Sequence, residues 1–215
     1  MSASAPTAGL RERHKNQRRE RILEAIRELL RECPDETPTV ERIAELADLS
    51  PATVFNLVGR REQQWAALGD ALLCELDARL AFAANEDPRE QARRIVGETA
   101  ELFIADAAVF KHLVNSWWRS GSLVQENPIP KLRVALRRGQ ATGMLRPDLH
   151  VDALVGHIAT ASGGALRQWA AGQISDAAFR KRVRFAVDVV FAASASEDHA
   201  AELCAPLQRK PRRGL

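Results

Sequence analysis

The segment PATVFNLVGRR, Pro51 to Arg61, carries the residues of this chain best suited to act on another molecule. Val54 and Val58 are four apart and mark the inward face of a helix, which leaves Ala52, Thr53, Phe55 and Asn56 on more exposed faces. Small side chains let a helix approach base edges, an amide can pair with adenine, and arginines neutralise phosphate. Arg60 and Arg61, just past the helix end, supply that charge. The chemistry implied is recognition of duplex DNA, not bond making.

Catalytic layouts are missing. The sequence contains no GxSxG, Walker loop, GxGxxG or HExxH. His14 falls in a basic arm and His199 near the end, while His112, His150 and His157 lack Cys or carboxylate partners at ligand spacing. Cys33, Cys74 and Cys204 form no CxxC set, and their odd number argues against a disulfide framework. We expect no enzyme activity, no metal and no cofactor.

The recognition segment needs elements to hold it. Upstream, TVERIAELADLS reads as a short helix from about Val40 to Asp48, with Thr39 as its N-cap and Glu41 in its first turn. Ile43, Ala44 and Ala47 give it an apolar stripe. Asp48 occupies the turn, where Asp tolerates positive φ better than most residues. Ser50-Pro51 restarts a helix, with a capping hydroxyl followed by Pro at the first helical position. Two short helices joined this way can form a helix-turn-helix, or an ordinary corner that binds nothing. Before them, Ile22, Leu23, Ile26, Leu29 and Leu30 predict an amphipathic helix from about His14 to Glu32.

Read together, RRERILEAIRELL, TVERIAELADLS and PATVFNLVGRREQQWAAL resemble the DNA-binding region of the TetR family of transcriptional regulators, over about residues 18 to 72. Three helices and both turns agree in order and spacing. Phe55 stands where the family usually has Tyr, which removes a phenolic hydroxyl; Leu57-Val58 and Arg60-Arg61 also depart from the common pairs. The resemblance implies a homodimer whose two recognition helices read a palindromic operator, released when a small molecule binds the helical remainder and tilts helix 4. By position, Thr53, Phe55 and Asn56 would face bases and sugars with Ala52 beside them, Thr39 and Arg61 would contact phosphate, and Arg42 could reach either.

The rest of the chain reads as helical. Trp65, Leu68, Leu72, Leu76 and Leu80 line one face of a helix over about 61–84, and five more helices are expected near 88–104, 106–119, 128–142, 149–171 and 175–195. No segment alternates with period two, so the predicted fold class is all-α: an N-terminal helix-turn-helix domain plus a C-terminal ligand-binding and dimerisation domain. Its expected parts are a disordered arm (1–12), the DNA-binding domain (13–60), the helical domain (61–195) and a basic tail (196–215).

Phe103, Phe110, Trp117 and Trp118, with His112 and His157 as polar contacts, are the candidates for a largely apolar ligand site, although core packing accounts for such residues as well. The small residues of 149–171, Gly156, Gly163 and Gly164 among them, permit close helix approach, and 175–195 carries Phe179, Val183, Ala186, Val187, Val190 and Phe191. These two helices either pack inside one subunit or meet a second copy, with Trp169 near that interface; the resemblance implies the second copy.

Charge and composition fit this reading. Net charge is only +3, but Arg11, Arg13, Lys15, Arg18, Arg19 and Arg21 crowd the N-terminal run against Glu12 and Glu20, and Arg209, Lys210, Arg212 and Arg213 lie near the end. Such runs can follow a DNA backbone or stay solvated. The chain is 46% hydrophobic and 27% charged, without an apolar run of membrane-spanning length or a signal-peptide layout, so a cytoplasmic, non-membrane protein is expected. The partners implied are double-stranded DNA, a small-molecule effector and a second copy of the chain. The alternative is a helical small-molecule-binding dimer without DNA binding.

Overall fold

The computed structural model describes residues 6–80, 86–120 and 128–208, apart from the side chains of 6–9, 73, 77–79, 116–120 and 128. The elements are α1 (Pro6–Glu32), α2 (Val40–Leu46), α3 (Pro51–Val58), α4 (Arg61–Arg79), α5 (Pro88–Ala105), α6 (Ala107–Ser120), α7 (Pro128–Ala141), α8 (Val151–Ala170), α9 (Asp176–Ala193) and α10 (Ala200–Cys204). Short 3-10 turns flank α10 at Glu197–His199 and Ala205–Leu207. Among the described residues there is no strand, only an isolated bridge between Leu145 and Ala195. The all-α expectation holds, and no described helix is long and apolar enough to cross a membrane.

Helix starts follow local chemistry. Asp87 Oδ1 accepts from Glu90 N at 2.9 Å where Pro88 opens α5, and Ser175 Oγ accepts from Ala178 N at 3.2 Å at the start of α9. Two expectations fail at the ends of the chain. Residues 6–12, read as disordered, belong to α1, which begins at Pro6. The stretch after 195, read as tail, folds through Leu207, with Leu203 fully buried and α10 packed on α9. The basic residues Arg209, Lys210, Arg212 and Arg213 lie outside the described residues.

The chain divides into two compact units. The first comprises residues up to Cys74 together with Asp106–Ser120; the second comprises Glu75–Ala105 and everything from Gly121. The expected boundary at residue 60 therefore moves, and α6 belongs with the helix-turn-helix. The reason lies in contacts between distant parts of the sequence. Arg31 Nε and Nη2 donate to the two carboxylate oxygens of Asp106 at 3.0 and 2.6 Å, and α1 packs on α6. Those hydrogen bonds raise the already high pKa of Arg31 and keep it charged. The ring of His112 lies 5.1 Å from that of Trp65, tilted by 59°. Within this unit Ile22, Ile26 and Leu30 of α1, Ile43 of α2 and Val54 of α3 are fully buried, each worth about 1.5–3 kcal/mol.

In the second unit α5 packs on α7 and α9, α7 on α8, and α8 on α9. Phe179, Val183, Ala186, Val187, Val190 and Phe191 all point into this core. Trp169, expected near an interface between copies, is internal: it is fully buried, its ring stacks on Phe179 at 5.3 Å, and Nε1 donates to Asp176 Oδ1 at 2.7 Å.

Candidate nucleic-acid interface

The turn between α2 and α3 is set by Asp48, whose φ of 51° is the left-handed conformation anticipated for it. Leu49 N donates back to Ala44 O at 2.9 Å, closing the end of α2. Arg21 of α1 reaches over this turn, donating to the carbonyls of Ala47 and Asp48 and to the Asp48 carboxylate. The recognition segment is therefore tied to α1 at its entry.

Both capping expectations are met. Thr39 Oγ1 accepts from Arg42 N at 3.3 Å and Ser50 Oγ accepts from Thr53 N at 3.2 Å. Ser50 and Thr53 also share a hydroxyl–hydroxyl bond of 2.8 Å, which fixes the Thr53 rotamer at the first turn of α3. A threonine held in this way, whichever hydroxyl donates, keeps at least one lone pair for an incoming donor.

On α3 the inner side is Val54 and Val58, both buried, while Ala52, Phe55 and Asn56 are exposed and Thr53 is half-buried. Phe55 is 50% exposed, so half of its ring is open to solvent on the outer face of α3. Asn56 makes no side-chain hydrogen bond within the chain among the described residues. Arg60 and Arg61 are exposed and make no ion pair among the described residues. Arg42 is also exposed, with Glu36 at 3.9 Å.

Past α3 the backbone turns at Gly59, φ 73°, into α4. Gln63 Oε1 accepts from Arg60 N at 2.8 Å and Gln64 Nε2 donates to Gly59 O at 3.0 Å, so this corner is held by two glutamines that the sequence reading did not single out. Phe55, Asn56, Gly59, Arg60, Glu62 and Gln63 line one shallow concavity. It brings Arg60 into the candidate face and also places there the carboxylate of Glu62, which would repel phosphate. An added Cβ at Gly59 would overlap the Gln63 side chain in a backbone region that L-residues avoid. Gly59→Ala is therefore expected to cost about 1–3 kcal/mol, read as a lower midpoint in urea unfolding.

The candidates for ligand contact do not assemble into one described cavity. Phe103 is buried in the second unit, and Phe110 is buried in the first, where His112 stands against Trp65. The side chains of Trp117 and Trp118 lie outside the described residues. His157 is exposed on α8, in an open groove with Leu154, Ala161, Gly164, Phe185 and Val189. Phe185 and Val189, four apart on α9, are 49% and 41% exposed and form an outward apolar stripe that the sequence reading missed.

No protein-family model matches the chain, and no curated protein matches it in sequence. Solved structures do match in fold. A TetR-family transcriptional regulator from Streptomyces coelicolor superposes with a TM-score of 0.61 at 18% identity, covering 93% of this chain and 92% of that one. PfmR, a TetR-family regulator from Thermus thermophilus, gives 0.55 at 22% identity, covering 80% and 97%. RolR, solved with its ligand resorcinol, gives 0.57 at 20% identity, covering 94% and 100%. The chain has the fold of the TetR-family transcriptional regulators, a helix-turn-helix followed by a helical domain.

Proposed function

We propose that the chain is a ligand-responsive transcriptional regulator, a repressor, that binds a palindromic operator as a homodimer and leaves it when a small, largely apolar ligand binds. The observation that carries this reading is the outer face of α3. A short, capped helix presents Ala52, Phe55 and Asn56 outward, with arginines at its end that make no ion pair among the described residues. Asn56 and Thr53 read base edges, Phe55 packs on sugar or thymine methyl, and Thr39, Arg42 and Arg61 hold the backbone. Two such helices must lie about 34–36 Å apart to enter successive major grooves. The ligand acts by population shift, binding better to the conformation whose helices do not match that spacing.

Dimerisation is assigned to the groove between α8 and α9. Its exposed Phe185 and Val189 fit a second copy of the same face, and His157 goes with this groove instead of the ligand. Phe103, Phe110, His112, Trp117 and Trp118 are the residues proposed to respond to the effector. The resorcinol bound in RolR, at 20% identity, supports a small aromatic compound as its class.

The test is selection from a pool of random duplex DNA, sequencing what the purified protein retains. An enriched palindrome with half-sites spaced for a dimer is expected. A flat pool at low salt, with and without metabolite extract, overturns the operator reading in favour of a helical ligand-binding dimer without DNA. On the enriched operator, Arg61→Ala is expected to weaken all sequences alike and lower the salt slope by about one, whereas Asn56→Ala changes the ranking among operator variants. Equal loss on every variant would remove Asn56 from base reading.

A further inference from the structure

We infer that the N-terminal extension of α1 is a second DNA-contacting surface, laid along the phosphate backbone that flanks the half-site read by α3. The inference rests on the DNA-binding reading above and adds to it a surface outside the helix-turn-helix.

α1 runs for 27 residues, yet among its described side chains the first buried one is Ile22, and every residue from Leu10 to Arg21 is exposed. That exposed stretch carries the helix about 18 Å past its last core contact and gains nothing from packing there. What that length carries is charge. Lys15 has only an exposed, 3.6 Å pairing with Glu12, and Arg11, Arg18 and Arg19 make no ion pair among the described residues.

The charges are placed on one side. At about 100° per residue, Arg11, Lys15, Arg18 and Arg19 fall within an arc of about 100° that also contains Ile22. Ile22 is fully buried, and the part of α1 it opens packs on α2, α3 and α6. The cations therefore continue the buried face of α1 beyond its last core residue, and Glu20 lies on the opposite side. Arg21 fixes where the extension leaves the motif: at the Ala47–Asp48 turn, just before the Ser50 cap of α3. The overhang starts at the end of the motif where the recognition helix begins. Its occupant is a polyanion; a membrane surface would call for bulky apolar residues on the same face, and this arc has none before Ile22.

The experiment compares the full chain with a variant carrying Arg11→Gln, Lys15→Gln, Arg18→Gln and Arg19→Gln, and with Arg13→Gln, whose side chain points away from the arc. Each is titrated onto the selected operator in two duplexes, one trimmed to the palindrome and one extended by about one turn on each side. The unmodified chain is expected to bind the extended duplex at least tenfold more tightly. The fourfold variant loses that advantage and about one unit of salt slope per cation in each protomer, with the ranking of half-site variants unchanged. Arg13→Gln keeps both. If the fourfold variant retains the gain and the slope while operators are still discriminated, the extension does not touch DNA, and the regulator reading survives. If Arg13→Gln loses as much per charge, the effect is net charge and the facial assignment falls. If the unmodified chain selects no operator, both readings fall together.

Discussion

Phe185→Glu is expected to turn the protein into a folded monomer and to weaken operator binding by about 10²- to 10⁴-fold, the range by which linking two binding modules exceeds one alone. Phe185 is half exposed and points out of the core; its loss opens no cavity, and thermal unfolding of the variant should remain cooperative. What changes is the groove with Leu154, His157, Ala161 and Gly164. In a two-fold interface each substitution occurs twice, and two carboxylates would be buried in a groove that is mostly apolar apart from His157, Gln168, Arg182 and Ser194. In the proposed dimer the space above Gly164, where an added Cβ would meet no atom beyond its own stretch of helix within 4 Å, would take a side chain of the second copy. Sedimentation equilibrium and an operator titration decide the matter. A variant that stays dimeric places the interface elsewhere, and a monomer that keeps full operator affinity removes dimerisation from recognition. Val189→Lys, one turn further along the stripe, is expected to act in the same direction.

The parts of this protein that were legible from sequence are those fixed by neighbours in the chain. Thr39 and Ser50-Pro51 marked helix starts because a capping hydroxyl acts within one turn, and both do so. Asp48 was legible because one residue's φ decides the turn. The parts that were not legible depend on contacts far apart in sequence or on patterns with two solutions. The place of α6 with the first unit rests partly on Arg31 and Asp106, 75 residues apart, and no local signal links them. On α9, Phe179, Val183 and Val187 turned inward while Phe185 and Val189 turned out. The helix is apolar around much of its circumference, so periodicity alone could not say which half meets solvent. Trp169 turned into the core, with its Nε1 bonded to the exposed Asp176 seven positions on across the α8–α9 turn, a contact that no local signal gives. The start of α1 was missed because a helix that is polar on every side has no hydrophobic period to read. Within the candidate interface the exposed residues of α3 were legible, and the glutamine corner at Gly59 was not, because it is made of side-chain-to-backbone bonds that leave no repeating pattern.

Asp188→Ala is expected to destabilise the second unit by about 3–5 kcal/mol, the cost of leaving a largely buried charge without its partner. Asp188 lies on the inner side of α9 between Val187 and Val190, and its Oδ1 accepts from Arg93 Nε at 2.6 Å and meets Nη2 at 2.5 Å. Arg93 is three-quarters buried on α5 and holds Glu90 with its remaining nitrogen. Burial alone would lower the pKa of Arg93; the charge and hydrogen bonds of Asp188, with those of Glu90, more than offset it and raise the pKa. Removing the carboxylate leaves the desolvation and takes away the compensation. A domain of this size is stable by only about 5–15 kcal/mol in total, so the variant should unfold at much lower urea. The double variant Arg93→Met with Asp188→Leu removes both charges and fills similar volume, and is expected to recover most of the loss, as replaced buried pairs do elsewhere. That recovery separates an ion pair that is needed only because its halves are there from one that the α5–α9 packing requires. If Asp188→Ala loses less than about 1 kcal/mol, water reaches the pair in solution, in the manner of exposed pairs. The half-exposed Arg180–Glu101 pair between the same two helices is the internal comparison, and breaking it should move the urea midpoint far less.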